Sequence, residues 1–233
     1  MLTIAYVNFW RQSTKDCWFT KYFQLNFDKD TRVVPPTEHP DILLCSCMGP
    51  IQLAHMLKAK IKIFFYGENL NKYPPYNNDY LIQQVFDLVV GFKYTDLTKK
   101  QIRFPLWMIY YPYYSYDESD NILNHIEKRR KECLDTVTKK DTSLVARHDS
   151  GGQRTILYNE LSKYTTVYCP SSFRNNMKPI PPDNNSKYLF IRNTLYNICP
   201  ENSAYEGYYT EKIFQALEAG CIPIYWAISK PEQ

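Results

Sequence analysis

Short apolar runs alternate with amphipathic stretches along the whole chain, and that alternation predicts an α/β architecture. Residues 2–10 (LTIAYVNFW) read as a first strand, 41–47 (DILLCSC) as a second, 62–67 (KIFFYG) as a third and 87–92 (DLVVGF) as a fourth. RFPLWMIYY at 103–111 follows with a proline inside it. Between the second and third runs, Ile51, Ala54, Met56 and Leu57 recur at near-helical spacing and predict a helix over 51–60. Residues 121–141 read as a helix carrying Ile122, Ile126, Cys133 and Val137 among charges. Its basic run Lys128–Lys131 fits a solvated face or interdomain linker better than a phosphate or membrane contact. A boundary is expected near residue 140, giving domains 1–140 and 141–233, because SLVARH at 143–148 begins a new strand. A helix over 155–164, a strand at TVYCP and a loop at 179–185 come next. Residues 188–226 then form a strand–loop–helix–strand unit. In it Thr210 is placed as N-cap of EKIFQALEAG, Gly220 as its C-cap, and CIPIYW as the closing strand.

Composition narrows the class. At 233 residues, 44% hydrophobic and 22% charged, the chain is an ordinary globular sequence, which excludes disorder, collagen and coiled coil. A net charge of +4 is too diffuse to argue for nucleic acid. The seven glycines stand where neither G-x-G-x-x-G nor G-x-x-x-x-G-K can be written, so the usual dinucleotide fingerprint and the P-loop are absent. No apolar stretch reaches the roughly 18 residues a membrane span needs, and MLTIAYVNFW lacks the basic start of a signal peptide. A cytoplasmic protein is therefore expected. The seven scattered cysteines are expected to be reduced and core-packed, with Cys45-x-Cys47 in a buried strand rather than on a metal.

Ligands of a strand–loop–helix–strand unit bind beyond the strand's carboxyl end, against the helix N-terminus. That places Glu201, Asn202, Tyr208, Glu211 and Lys212 around one mouth, a candidate anion site. Lys212 sits in the first turn of a helix, where the macrodipole disfavours a cation, and an anion bound there would reverse the sign. Pairing with Glu211 or solvation is the blander alternative. Glu68, after the third strand and Gly67, could serve as a general base or merely cap a turn. Arg154, near a helix start after Gly151-Gly152, could reach a phosphate with its guanidinium or lie in solvent. His148 and Asp149 are adjacent, and in a strand they would point to opposite faces, so no dyad is expected. Asp28-Lys29-Asp30 reads as a turn rather than a metal–diphosphate motif, and WMIYYPYYSY at 107–116 fits either core packing or stacking on sugars.

The segment YNICPENSAYEGYYTEKIFQALEAGCIPIYW at 196–226 closely resembles the donor-binding signature of α-1,3/4-fucosyltransferases, glycosyltransferase family 10. Weaker agreement extends forward to Arg103–Leu106, to the strand at 62–69 that ends in G-E-N at Asn69, and to N-x-W at Asn8–Trp10. The resemblance implies a GT-B fold of two Rossmann-like domains facing a cleft, the first on the acceptor side and the second binding GDP-fucose. It implies inverting transfer of L-fucose from GDP-fucose to a hydroxyl of a GlcNAc- or Glc-containing glycan in α-1,3 or α-1,4 linkage, with no essential metal. It puts the general base on Glu68 and donor contacts on Arg154, Asn202, Tyr208, Glu211 and Lys212. The family pattern continues past I-P-I-Y-W-G, whereas this sequence reads IYWAISKPEQ with Ala227 at the expected glycine. The C-terminal domain is thus expected to be shortened. A GDP-sugar-binding protein or fragment without transfer activity is the alternative.

Overall fold

A computed structural model of the chain describes residues 1–10, 17–111, 121–136, 139 and 141–228, and it divides into two compact units, Met1–Ser115 and Tyr116–Gln233. The first unit runs β1 (Thr3–Val7), α1 (Trp18–Asn26), β2 (Arg32–Val33), β3 (Ile42–Cys45), α2 (Ile51–Met56), β4 (Ile61–Tyr66), α3 (Asp79–Val85), β5 (Leu88–Gly91) and β6 (Gln101–Arg103). Its six strands form one sheet in the order β2-β1-β3-β4-β5-β6, every pair parallel. Consecutive residues Leu43, Leu44 and Phe64, Phe65 are all buried, so both faces of the sheet are covered. This is why the central strands are continuous apolar runs rather than alternating ones. Each such large side chain contributes on the order of 2–3 kcal/mol by leaving water.

The second unit runs α4 (Ile122–Thr136), β7 (Thr142–Ser143), α5 (Gln153–Leu161), β8 (Val167–Tyr168), α6 (Asn184–Ile191), β9 (Tyr196–Ile198), α7 (Glu211–Glu218) and β10 (Ile222–Ile224). Its parallel sheet has the order β10-β9-β7-β8. One core cluster, with Cys133, Tyr188, Ile191, Ala216 and Ala219, lies under α4, α6 and α7. The other, with Leu144, Val167, Cys169 and Ile198, lies under Leu157, Tyr158 and Leu161 of α5. Helix α7 ends in a Schellman motif: the Gly220 N–H donates to Leu217 O and the Cys221 N–H to Ala216 O. Gly220 takes φ +64°, and a Cβ there would lie 3.2 Å from Cys133 Cβ. The positive φ favours glycine there, and the close approach of Cys133 adds to it.

Several elements differ from the pattern reading. The units divide earlier than residue 140, because α4 packs with the second unit: Cys133 bonds Tyr188 at 3.0 Å and Arg129 pairs with Glu218 at 2.9 Å. Helix α2 stops at Met56, where Leu57 turns extended. Of the run 103–111 only Arg103, the end of β6, is strand: Pro105 cannot donate to a ladder, and Leu106–Tyr110 form a 3₁₀ turn. Residues 184–191 are the helix α6, capped by Asp183 on the Ser186 N–H at 2.8 Å, so only Tyr196–Ile198 of that apolar run is strand. The strand expected at 143–148 is two residues long, Thr142–Ser143.

Other expectations agree with the structure. Asp28 forms a turn, accepting from the Leu2 and Asp30 N–H groups. Cys45 and Cys47 are buried and free, and burial pushes each thiol up to about 12. The aromatic run 107–116 lies partly outside the described residues, and Val137 wholly so. Among the described residues no helix is long and apolar enough to cross a membrane.

Candidate active site

In the second unit the candidate residues gather at the carboxyl ends of β7, β9 and β10. Pairing of β9 with β10 continues past their ends, from Cys199 N to Ile224 O and from Glu201 N to Trp226 O, both 3.0 Å. That continuation fixes the backbone of Glu201. Its side chain is fully buried. Oε1 accepts the Thr210 N–H and the Tyr225 hydroxyl, each at 2.8 Å. Oε2 accepts the Thr210 hydroxyl at 2.7 Å and pairs with Lys212 Nζ at 3.1 Å. A buried carboxylate is tolerated only when satisfied in this way. The same contacts raise the Tyr225 hydroxyl pKa, first through burial and then through the Glu201 charge beside it.

Thr210 stands at the N-cap of α7 in extended conformation, as expected, but its side chain does not cap. The hydroxyl donates to Glu201 and accepts from Lys212 Nζ at 2.6 Å. Lys212 is 12% exposed, and its second carboxylate, Glu211 Oε1, is 3.6 Å away. The cation that the macrodipole disfavours is therefore held by two carboxylates. Glu211 is only half-buried, its side chain 15% exposed, but its Oε2 atom is buried and has no hydrogen-bond partner among the described residues. Burial would raise the Glu211 carboxyl, but Lys212 and Lys187 outweigh it and hold the pKa low. The group stays an anion with one oxygen unspent.

Arg154, in the first turn of α5, is buried rather than solvated. Its guanidinium donates to His148 O and to Asn202 Oδ1, tying the loop after β7 to the loop after β9. Burial lowers its pKa, opposed by the nearby charges of Asp149, Glu201 and Glu211 and by Tyr208. Tyr208 is buried. The contacts of Arg154 thus bring it to the mouth at which spacing places Glu201, Asn202, Tyr208, Glu211 and Lys212.

Two participants in this cluster, and the role of a third, escaped the sequence reading. Lys187 of α6 donates to Gln215 Oε1 at 2.7 Å, and burial lowers its pKa against the pull of Glu211. It also borders a cavity of about 180 Å³ with Arg147, Ser171, Pro182 and Asp183. At the edge of an apolar run that the sequence reads as strand but that begins in the helix α6, its direction is not legible. Asp149 is the second: it accepts the Arg154 N–H at 3.2 Å and the Thr155 N–H at 2.8 Å, capping α5 from outside. His148 and Asp149 lie in a loop rather than the expected strand, and His148 Nδ1 bonds Ser150 Oγ at 2.8 Å, not Asp149. The third is Glu201, placed at the mouth by sequence but not marked as its hub. No local periodicity announces a contact nine residues away.

In the first unit Glu68 follows Gly67 at the carboxyl end of β4 and is half-buried. Its Oε1 accepts the Trp10 indole N–H at 2.9 Å. Cys47 and Tyr73 lie near enough for the Glu68 charge to add to the burial that raises both their pKa values. Among the described residues no group of three or more His, Cys, Asp or Glu side chains could hold a metal ion.

Comparison with known proteins places these features. Residues 4–110 match the sequence model of the alpha-(1,3)-fucosyltransferase FucT N-terminal domain. Residues 134–232 match that of the glycosyltransferase family 10 (fucosyltransferase) C-terminal domain. The chain is 26% identical over 217 residues to alpha-(1,3)-fucosyltransferase FucT of Helicobacter pylori, covering 82% of this chain and 42% of that protein. It therefore spans about two fifths of that relative's length. A crystal structure of an alpha1,3-fucosyltransferase with GDP-fucose superposes with TM-score 0.64 at 22% identity, covering 97% of this chain and 68% of that one. A second alpha1,3-fucosyltransferase crystal structure gives 0.67 at 23% identity with the same coverage. The likeness shows that the two α/β units have the fold of solved fucosyltransferases. With most of its length matched by the two domain models, the chain belongs to glycosyltransferase family 10, the fucosyltransferases.

Proposed function

We propose that this chain transfers L-fucose from GDP-fucose to a hydroxyl of a GlcNAc- or Glc-containing glycan, with inversion at the anomeric carbon and α-1,3 linkage. The observation that carries the reading is the half-buried Glu211 carboxylate, whose buried Oε2 is unpaired, beside Lys212 at the start of α7. A carboxylate oxygen held ionised without a donor is suited to accept a sugar hydroxyl and to stabilise positive charge developing on the ring. The Helicobacter pylori relative is an alpha-(1,3)-fucosyltransferase, and one similar solved structure holds GDP-fucose, which supports the same donor here.

In this reading the second unit binds the donor and the first supplies the base. The acceptor oxygen forms its bond to the anomeric carbon while its proton passes to the Glu68 carboxylate. The bond from that carbon to the diphosphate oxygen breaks, its electron pair leaving with GDP. Arg154 and Lys212, with the positive end of α7, neutralise the departing diphosphate, the task a metal performs in other transferases. Asn202 orients Arg154 through the hydrogen bond already described, and Tyr208 completes the donor contacts.

The test is incubation of the purified chain with GDP-fucose and a panel of lactose and N-acetyllactosamine acceptors, following GDP release and fucosylated product. Glu68→Ala is expected to lower kcat by about 10²–10⁴-fold, the usual worth of a general base, with GDP affinity unchanged. Binding of GDP-fucose without product on any acceptor would leave a donor-binding protein in place of a transferase. Absence of GDP binding would overturn the donor site as well.

A further inference from the structure

Strand β1 ends abruptly. Asn8 takes φ +58°, and its amide donates to Tyr76 Oη and Pro50 O, both at 2.9 Å. That turn sends Phe9 and Trp10 across the carboxyl end of the sheet instead of along it. The Trp10 ring packs edge-on against Phe65 at a centroid distance of 5.9 Å and against Phe9 at 6.0 Å. Beneath it lies Gly67: a Cβ there would be 2.6 Å from Trp10 Cη2 and 2.9 Å from Leu106 Cδ1. The residue before Glu68 is thus bare of a side chain where the indole passes. From that seat the Trp10 N–H reaches Glu68 Oε1 at 2.9 Å.

We propose that Trp10 is the positioning residue for the base: its indole N–H holds one oxygen of Glu68, so that the proton from the acceptor is taken on the other, Oε2. The inference rests on the transferase reading above. Its physical basis is that a glutamate side chain in a loop has several free torsions, and proton abstraction requires its oxygen within hydrogen-bond reach of the acceptor hydroxyl. A hydrogen bond to a charged acceptor is the stronger kind. The indole nitrogen is a donor only, so it cannot compete with Glu68 for the proton, as an imidazole could. Trp10 is 37% exposed, and its ring packs against Gly67 and Phe65.

The experiment is a double-mutant cycle on the full chain. Trp10→Phe keeps a ring and removes the donor. It is expected to lower kcat about ten- to a hundredfold, the worth of one hydrogen bond to a charged group, with KM for GDP-fucose unchanged. Combined with Glu68→Ala it should cost little more than Glu68→Ala alone, because the two act as one unit. Multiplicative losses, or a changed KM for GDP-fucose with unchanged kcat, would overturn the positioning role. Should Trp10→Phe fail to fold, Glu68→Ala alone still tests the contact, since it leaves the indole in place. The ¹⁵N-edited indole N–H resonance of Trp10 should shift in that variant, and an unmoved resonance overturns the proposal. A wild-type chain that makes no product sinks the transferase reading and the base role with it. Product from the wild type with independent losses in the two variants sinks only the role of Trp10.

Discussion

Glu201 has all four of its acceptor positions occupied inside the protein, by Thr210 twice, Tyr225 and Lys212. Glu201→Gln removes the charge that Lys212 and the donors answer, and turns an NH₂ toward groups that are themselves donors. The expected cost is about 3–5 kcal/mol, as for breaking a buried ion pair from one side, read as a drop in the urea midpoint. GDP affinity should fall with it, since Thr210 and Lys212 lose their anchor. Sequence singled out Lys212 because a cation in a first helical turn is locally disfavoured, and the structure supplies the compensation. The same reasoning could not single out Glu201, whose partners are separated from it by the 202–209 loop. Trp10 and Glu68 are 58 residues apart, and no spacing rule connects them.

Helix α5 shows how an element is held at the place where it supplies a functional group. Gly152 occupies the N-cap without a side chain, and Asp149 does the capping from three residues upstream. Burial opposes ionisation of Asp149, but the bonds from Thr155 and Arg154 outweigh it and hold the pKa below the ordinary value. A carboxylate with a depressed folded-state pKa adds stability above its unfolded value of about 4, and that stability is lost as pH falls through the folded pKa. Asp149→Asn is therefore expected to cost about 1 kcal/mol at pH 7 and to flatten the acid limb of a stability profile below pH ~4. Thermal melts at a series of pH values check both. Helix α6 carries the opposite lesson about legibility. Its cap, Asp183 on Ser186, is written in the sequence, but the preceding PIPP reads as loop and the following apolar run fits helix or strand equally.

At the scale of the molecule, each unit has its own parallel sheet and its own buried apolar residues. A ligand that binds one unit in its folded form stabilises that unit by mass action. GDP at a hundred times its dissociation constant should add about 2.7 kcal/mol, reported by a label placed in the second unit, and Lys212→Ala should reduce the gain. The central strands and α7 were legible because burial on two faces demands unbroken apolar runs, and because a helix needs its face, its N-terminal residue and its closing glycine in local order. The sequence by itself determined these elements, their α/β class and the motif that groups Asn202, Tyr208, Glu211 and Lys212. Tertiary structure alone decided which unit takes α4, that Lys187 and Asp149 join the cluster, that Glu201 is its hub, and that Trp10 grips Glu68. The physical reason is range: capping and periodicity act within one or two helical turns, whereas a buried charge or an indole finds its partner only after the chain has closed on itself.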